Sequence, residues 1–578
     1  LGLEYGVTTQ SLVTQKMRDD LIVGCEKLQV QELRQGKGVL HPRKYYTVTG
    51  TNGPDWRIPN KDIKTVLHAI LERVYFVKDK TLGFKRPPRP WTHKSVAHLV
   101  EEEVSEEKTK KKSLENSACF IAAQDKMSQR FSSMASKLGV VATRTGKAHP
   151  ISEDEFLSFY GGAKLACYTK AVESLHKKRF EERDSWVKVF TKDEFMKLNG
   201  APRAIQPRSP RFNVMLGRHL KHVEHKIYDA IDEVFDPSGQ HKTVAKGMNM
   251  IKRGNTIAAM WDRVSDPIAV GLDASRFDQH INRLLMAHEH STYHQFATGK
   301  GSDLPSLATL LSMQLRNHGV YWGKDGKIKY IVEDCRMSGD MNTSSGAVVI
   351  MTSLVYAYLE FKDLLGQVQL LNDGDDCVFI MSRSIREHFC QGLQEWFSEM
   401  GITMEFDGIY ESLEKIEFCQ ARPVWTEEHG YRLCPRPSKR LYSDCISTKE
   451  LGSKKIYERQ VGAVAGCGLA GSGGSPIFQS FYKWLGRGAN PWIPREGSCY
   501  YKYRQELIDG MATKCRDPTS RERVSFFLAF NIPPVSQMAL EDYYDNLPAP
   551  LWNTPMKNLV KILDNSQHLC YPEQKIRW

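Results

Sequence analysis

The sequence predicts an α+β protein organised on an antiparallel sheet, and three stretches carry that expectation. In "VQLLNDGDDCVFIM" (368–381) two apolar strands flank Asp373–Gly374, a strong hairpin signal. In "PIAVGLDAS" (267–275) Ile268, Val270 and Leu272 alternate with Ala269, Gly271 and Asp273, as a strand requires. The second face is nearly bare around its one acid, as a substrate-approach surface would be. Between these strands, "RMSGDMNTSSGAVVIMTSLVYAYLEF" (336–361) begins small and polar and becomes an apolar helix, so a loop feeds a helix N-terminus.

The remaining segments follow in chain order. "KRPPRPW" (85–91) reads as a stiff, extended basic connector, because proline fixes φ and removes donors. "EEEVSEEKTKKKS" joins an acidic block to a basic one, the pattern of an exposed helix or loop; Lys108 to Lys112 are an alternative RNA-touching patch. "EFLSFYGGAKLACYTKAVESLHKKRFEER" (155–183) has helical periodicity interrupted at Gly161–Gly162. "GCGLAGSGGSP" (466–476) reads as a flexible turn between helices; it lacks the Lys-Ser/Thr of a phosphate-binding loop.

Composition bounds the class without choosing it. The 578 residues are 41% hydrophobic, which excludes a disordered chain, and 80 Lys plus Arg against 68 Asp plus Glu suit a polyanionic partner. Thirteen cysteines without a CxxC pair argue against a disulfide framework or a zinc site and favour a reducing compartment. No signal peptide is evident, and the apolar run "GAVVIMTSLVYAYL" is too short for a bilayer, so no intrinsic transmembrane segment is expected.

The chemistry sits on the acids. Asp373, Asp375 and Asp376 fall within four positions beside apolar residues, where repulsion and desolvation raise carboxyl pKa values unless a cation intervenes. A calcium loop fails on spacing, because Cys377 and Val378 stand where such a loop needs an oxygen ligand and a glycine. A two-metal nucleotidyl-transfer site needs a second acid-bearing strand on a small-residue face, and Asp273 supplies it. Hard oxygen ligands suit Mg2+, with Mn2+ as a substitute. Asp273 and Asp375 are the expected principal ligands and catalytic acids, Asp376 assists, and Asp373 belongs to the turn. "HEHSTYH" (His288, His290, His294) is not a zinc motif and is expected to pack or face water.

"DASRFD", "SGDMNTSSG" and "DGDD", in that order, resemble palm motifs A, B and C of plus-strand RNA virus RNA-dependent RNA polymerases. "GAPRAIQPRSPRFNVMLGRHLKHVEHKIYDAID", "TVAKGMN", "IEFCQARPV" and "GCGLAGSGGSPIFQSFY" resemble the tombusvirus and luteovirus replicase group more closely, over roughly residues 150–490, with "ERVYFV" (72–77) also similar. The resemblance implies a right-hand polymerase fold: fingers and an N-terminal extension over 1–264, with motif F around 188–211. A palm would follow over 265–425 with a fingers insertion around 280–335, then a helical thumb and C-terminal region over 426–578. It implies a single-stranded RNA template, nascent RNA and ribonucleoside triphosphates as partners. Asp278, Ser338 and Thr343 would serve the nucleotide ribose, Ser338 and Gly339 the motif B loop, and Lys192, Arg203 and Arg208 the triphosphate. Arg208 and Arg211 have template backbone or acidic neighbours as alternatives. Related replicases work on host cytoplasmic membranes, so a replication partner or an N-terminal region would supply the anchor.

This sequence departs from the family pattern at three places. Ala347 stands where motif B usually carries an asparagine, and Asn342, five residues earlier, lies about 140° off that face. Ala201 replaces a basic residue of motif F. "EMGITMEFDG" resembles motif D without its lysine, and Lys415 is the nearest candidate.

Overall fold

The computed structural model describes residues 106–194, 202–301, 303–324, 326–444, 454–489 and 514–547, with short pieces such as 61–70 and 196–197. The 85–91 connector, most of "ERVYFV" and Ala201 lie outside the described residues.

In chain order the helices that matter are α1 (Ile63–Ile70), α2 (Glu106–Thr145), α3 (Gly162–Lys177), α4 (Pro210–Phe235) and α5 (Met250–Asp262). They continue with α6 (Phe277–His280), α7 (Arg283–Phe296), α8 (Thr343–Phe361), α9 (Leu393–Glu399), α10 (Lys454–Ser472), α11 (Phe478–Leu485), α12 (Ser520–Phe530) and α13 (Pro534–Asn546). Local chemistry sets their ends. Ser209 caps α4 by accepting from the Phe212 N–H, with Pro210 in the first turn where its missing donor costs nothing. Gly161 precedes α3, so the Gly161–Gly162 break separates a short helix, Glu153–Ser158, from it.

The strands are β1 (Val187–Lys188), β2 (Pro267–Ala274), β3 (Arg316–Gly323), β4 (Gly326–Glu333), β5 (Val368–Asp373), β6 (Asp376–Ser382), β7 (Met404–Tyr410), β8 (Ala421–Thr426) and β9 (Gly430–Pro435). Four of them form an antiparallel sheet in the order β7-β2-β6-β5. Its two sides follow from alternation. Ile268, Val270 and Leu272 join Phe379 and Met381 in a core with Ile350, Met351, Leu354 and Val355 of α8 and with Trp396 and Phe397 of α9. Cutting Phe379 back to Ala in that core costs about 3–5 kcal/mol. The opposite side, expected to be nearly bare from its small residues, is instead covered over much of its length. Ala269, Leu371, Val378 and Ile380 pack there on Ile257 and Met260 of α5 and on Leu433 of β9. Only the end carrying the acids is left open.

Two further expectations change. Helix α8 is 19 residues, long and apolar enough by length and composition to cross a membrane, because Thr343, Ser344 and Ser345 extend the apolar run upstream and Glu360 and Phe361 extend it downstream. Every residue from Ser345 to Leu359 is buried, so it is apolar all round as the central helix of a core. "GCGLAGS" is not a turn: α10 runs through it to Ser472, and only residues 473–476 turn. A Cβ at Gly468 would meet the Tyr482 ring at 2.3 Å, so the small residues are there to let α11 approach α10.

A second sheet, β1-β3-β4, joins the segment before α4 to the segment after α7. Its buried side places Tyr321, Ile328, Tyr330 and Val332 against Val187, Ala204 and residues of α1. Helices α10 to α13 close a separate C-terminal core around Phe478, Phe481, Phe526 and Tyr544.

Candidate active site

The open end of the four-stranded sheet carries an acid on every strand. Glu405 of β7 pairs with Asp273 of β2, Asp273 with Asp376 of β6, and Asp376 with Asp373 of β5, one transverse row across the sheet. The hairpin turn is one residue later than the sequence suggested: Gly374 and Asp375 form the tip, and Asp373 is the last strand residue. Gly374 holds φ 92°, which only glycine adopts freely. The Asn372 side chain fastens the tip by donating to the Gly374 carbonyl (2.7 Å) and accepting from its N–H (3.1 Å). Asp375 projects from this tip and is exposed.

Electrostatics separates the acids. Burial, followed by Asp375 and then Asp407 and Glu405, pushes Asp273 up to about 6. Burial, then Asp375, Asp273 and Asp373, pushes Asp376 up to about 7. Asp373 goes the other way. Burial would raise it, but Lys246 at 2.5 Å and Arg253 at 2.7 Å outweigh that and hold it below the usual carboxylate range. Asp373 is therefore the anchor of a buried ion pair rather than only a turn residue.

Asp273, Asp375 and Asp376 are the three acids expected together, and they meet at the strand ends. Their donor set, carboxylate oxygens alone and short of compensating positive charge, fits a hard divalent cation. Among the described residues no three His, Cys, Asp or Glu side chains are close enough to enclose an ion as they stand. His288 and His290 are buried, with imidazoles pushed down to about 4, and His288 meets the Ser353 hydroxyl, so both pack as expected.

Asp278 sits in the short helix α6, after Arg276 in the left-handed region (φ 50°). Burial pushes it up to about 6, against the pull of Arg336 and with Asp375 and Arg203 close enough to act on it. It therefore stands between the acid row and the basic segment 188–208. There the two-residue strands Phe190–Thr191 and Ala204–Ile205 pair, and the Lys192 N–H donates to the Arg203 carbonyl at 2.8 Å. Lys192 and Arg203 share Glu194, at 3.1 and 3.5 Å, and both are exposed enough to be taken over by a stronger anion.

Arg208 is a correction. It is wholly buried, with Nε on Asp340 at 2.5 Å and its other nitrogens on the Ser185 carbonyl and Asn317. A guanidinium committed to an acid in the core has no donor for a triphosphate; the acidic-neighbour alternative is what the structure shows. Arg211 likewise binds Asp184 and Ser174.

The loop before α8 is held from the same segment. The Ser338 hydroxyl donates to the Ala204 carbonyl at 2.8 Å, and a Cβ on Gly339 would strike the Pro207 backbone at 2.6 Å. Thr343 donates to the Asp340 and Met337 carbonyls, so Ser338 and Thr343 both spend their hydroxyl protons on shaping the loop. Beneath it Asp340 faces Arg336, whose guanidinium pairs with fully buried Glu289; the Asn342 side chain is taken up by Glu289 and Gln314. Ala347 faces the hairpin tip, its Cβ 3.5 Å from where a Gly374 Cβ would stand. Lys415 donates to Asn531 at 2.6 Å.

Sequence reasoning missed Lys246, Arg253, Glu405 and Asp407. The first two stand in and after "TVAKGMN", and the acids stand in "MEFDG", where the family's motif D lysine is missing. A count of charges balancing "DGDD" would have asked for the two cations.

Comparison with known proteins gives the class. The chain belongs to the viral RNA dependent RNA polymerase family, whose model matches residues 114–551, and it is an enzyme of that class. It is 34% identical to the RNA-directed RNA polymerase of Oat chlorotic stunt virus, over 94% of this chain and 68% of the relative. It is 32% identical to that of Tobacco necrosis virus (strain D), over 92% and 68%, and 38% identical to that of Tomato bushy stunt virus (strain Cherry), over 70% and 48%. The tombusvirus-group resemblance is thereby established, and the chain spans between about half and two thirds of these relatives' lengths.

Proposed function

We propose that this chain copies a single-stranded RNA template by two-metal-ion nucleotidyl transfer from ribonucleoside triphosphates, for replication of a viral RNA genome. The observation that carries the reading is the meeting of Asp273 and Asp376, on paired strands, with Asp375 at the hairpin tip, with too little positive charge to balance them. Magnesium, or manganese in its place, held by those three acids would acidify the primer 3′-hydroxyl and neutralise the leaving pyrophosphate.

The chain's own residues supply the rest. Arg203 and Lys192 leave Glu194 for the triphosphate, where the planar guanidinium suits bidentate contact. Asp278 accepts from the ribose 2′-hydroxyl. Ser338, Gly339 and Thr343 act by holding the loop beside the nucleotide, and Ala347 leaves room at the hairpin tip that an asparagine would fill. In this reading residues 1–264 are extension and fingers, 265–425 palm with a fingers insertion around 280–335, and 426–578 thumb and C-terminal region. The enzyme works in the host cytoplasm at membrane-associated replication complexes, anchored by a partner or by a region found in its longer relatives.

The test is extension of an RNA primer on an RNA template with labelled ribonucleotides and magnesium. Template-dependent extension that Asp375→Ala abolishes supports the reading. RNA binding without extension in either metal sinks it in favour of a scaffold, and shortened RNA without added nucleotide points to a nuclease.

A further inference from the structure

The sheet β1-β3-β4 has a second face that the polymerase reading leaves unused. Alternation and register put Lys188, His318, Trp322, Lys327 and Lys329 on it, opposite the buried side formed by Tyr321, Ile328 and Tyr330. Trp322 is 65% exposed, a large apolar ring that the fold does not cover. The Lys327 ammonium stands 3.5 Å over that ring. Further along, Trp186 stacks on His318 with ring centres 5.2 Å apart and planes 17° apart, and Arg183 lies 5.4 Å over Trp186. Desolvation and the charges of Lys329 and Arg183 lower the Lys327 ammonium, so these cations lie close enough to repel. Among the described residues the acids acting on His318 are Glu182 and Glu333, and Glu333 meets Arg316 at 3.5 Å.

Aromatic planes and cations flanking buried Val320 on one sheet face have a chemical meaning. His318 and Trp322 are four residues apart on one strand, about 13 Å, which leaves two separate stacking positions with phosphate partners around them. Protein-docking surfaces are depleted of lysine at their centre, whereas single-stranded nucleic acid is held by aromatic stacking within a basic groove. Every base has a π-face, so such a surface grips sequence-tolerantly.

We propose that the outer face of β1-β3-β4 is a platform for single-stranded RNA, with Trp322 and the Trp186–His318 stack taking bases and Arg183, Lys188, Lys327 and Lys329 taking phosphates. Its other side packs on Ala204, whose carbonyl anchors Ser338, so the platform and the nucleotide site use opposite sides of one sheet. RNA held there is extra to the copied segment and keeps a long template on the enzyme.

The test uses the full chain with a labelled 12-nucleotide RNA carrying 4-thiouridine, a matched duplex, and heparin as a polyanion without bases. Trp322→Ala is expected to weaken single-strand binding about tenfold. It should also remove the photo-crosslink to the 316–333 peptide and leave heparin binding unchanged. Trp322→Phe keeps a ring and should restore most of the affinity. Extension on a short, saturating primer–template should be the same in all three proteins. Unchanged RNA affinity in Trp322→Ala, an equal loss for heparin, an equal loss for the duplex, or no crosslink of the parent to residues 183–188 or 316–333 would each overturn the platform. Failure of every variant and the parent to extend RNA, with these binding results intact, would overturn the polymerase reading alone.

Discussion

The two sheets solve opposite electrostatic problems. The β7-β2-β6-β5 sheet crowds acids at one end, half-buried and under-compensated, so that Asp273 and Asp376 hold protons at pH values where free carboxylates do not. The β1-β3-β4 sheet spreads cations over an exposed face, where solvent and aromatic rings moderate their repulsion. The first arrangement is relieved by taking up protons or a concentrated counter-charge such as a metal ion; the second is stable alone and suits a long, dispersed polyanion. Function is written in the charge each sheet leaves unbalanced.

The largest effect that tests this contrast is on chemistry. Asp273→Asn should lower extension by at least about a thousandfold, because on the proposed reading it removes a carboxylate that would hold a metal worth several kcal/mol. Filter binding should find RNA affinity within about twofold of the parent, and a parallel loss of affinity would show the acids serving the fold instead.

Next comes stability, where the one compensated acid should differ from its neighbours. Asp373→Asn strands Lys246 and Arg253 and is expected to cost about 3 kcal/mol at neutral pH. The sign with pH is fixed by its direction. A carboxyl depressed in the folded state contributes above its unfolded pKa and loses that contribution as pH falls through the folded value. Thermal melts should therefore separate parent and variant clearly at pH 7 and less near about pH 3. A gap that widens on acidification would refute the assignment.

Arg203 and Arg208, five residues apart, sharpen the comparison further. Arg203→Gln should raise the KM for nucleotide about tenfold and leave the melting temperature alone, as expected for one charge-assisted contact. Arg208→Gln should do the reverse, lowering the melting temperature by breaking the buried Asp340 pair. The smallest effect is expected at the hairpin tip. Ala347→Asn adds one hydrogen-bonding group beside Gly374, and competition between ribo- and deoxyribonucleotides should sharpen by about two- to tenfold. An unchanged ratio would mean that Asp278 selects the ribose without help from that position.

What was legible in the sequence was local. The hairpin, the alternation of β2 and the apolar helix each declare themselves within about fifteen residues, and the three acids follow from them. Arg203 and Arg208 look alike in "PRAIQPR"; only Asp340 and Asn317, folded against one of them, tell them apart. Asp373 belongs with its neighbours in "DGDD" until Lys246 and Arg253 arrive from far upstream. The outer sheet went unread because "RNHGVYWG" carries two glycines and an asparagine, poor strand formers, and is completed by a two-residue strand from another part of the chain.

That long-range stitching has a consequence for how the molecule is made. Arg208 finds Asp340 only 132 residues later in the sequence. At ordinary synthesis speeds of about 5–20 residues per second, the guanidinium spends on the order of ten seconds with no acid to receive it. A charge in that position stays hydrated and keeps its segment from docking. The segment around Arg208 therefore cannot settle before residue 340 has been made, and Asp340 is the latch that the ribosome delivers to it.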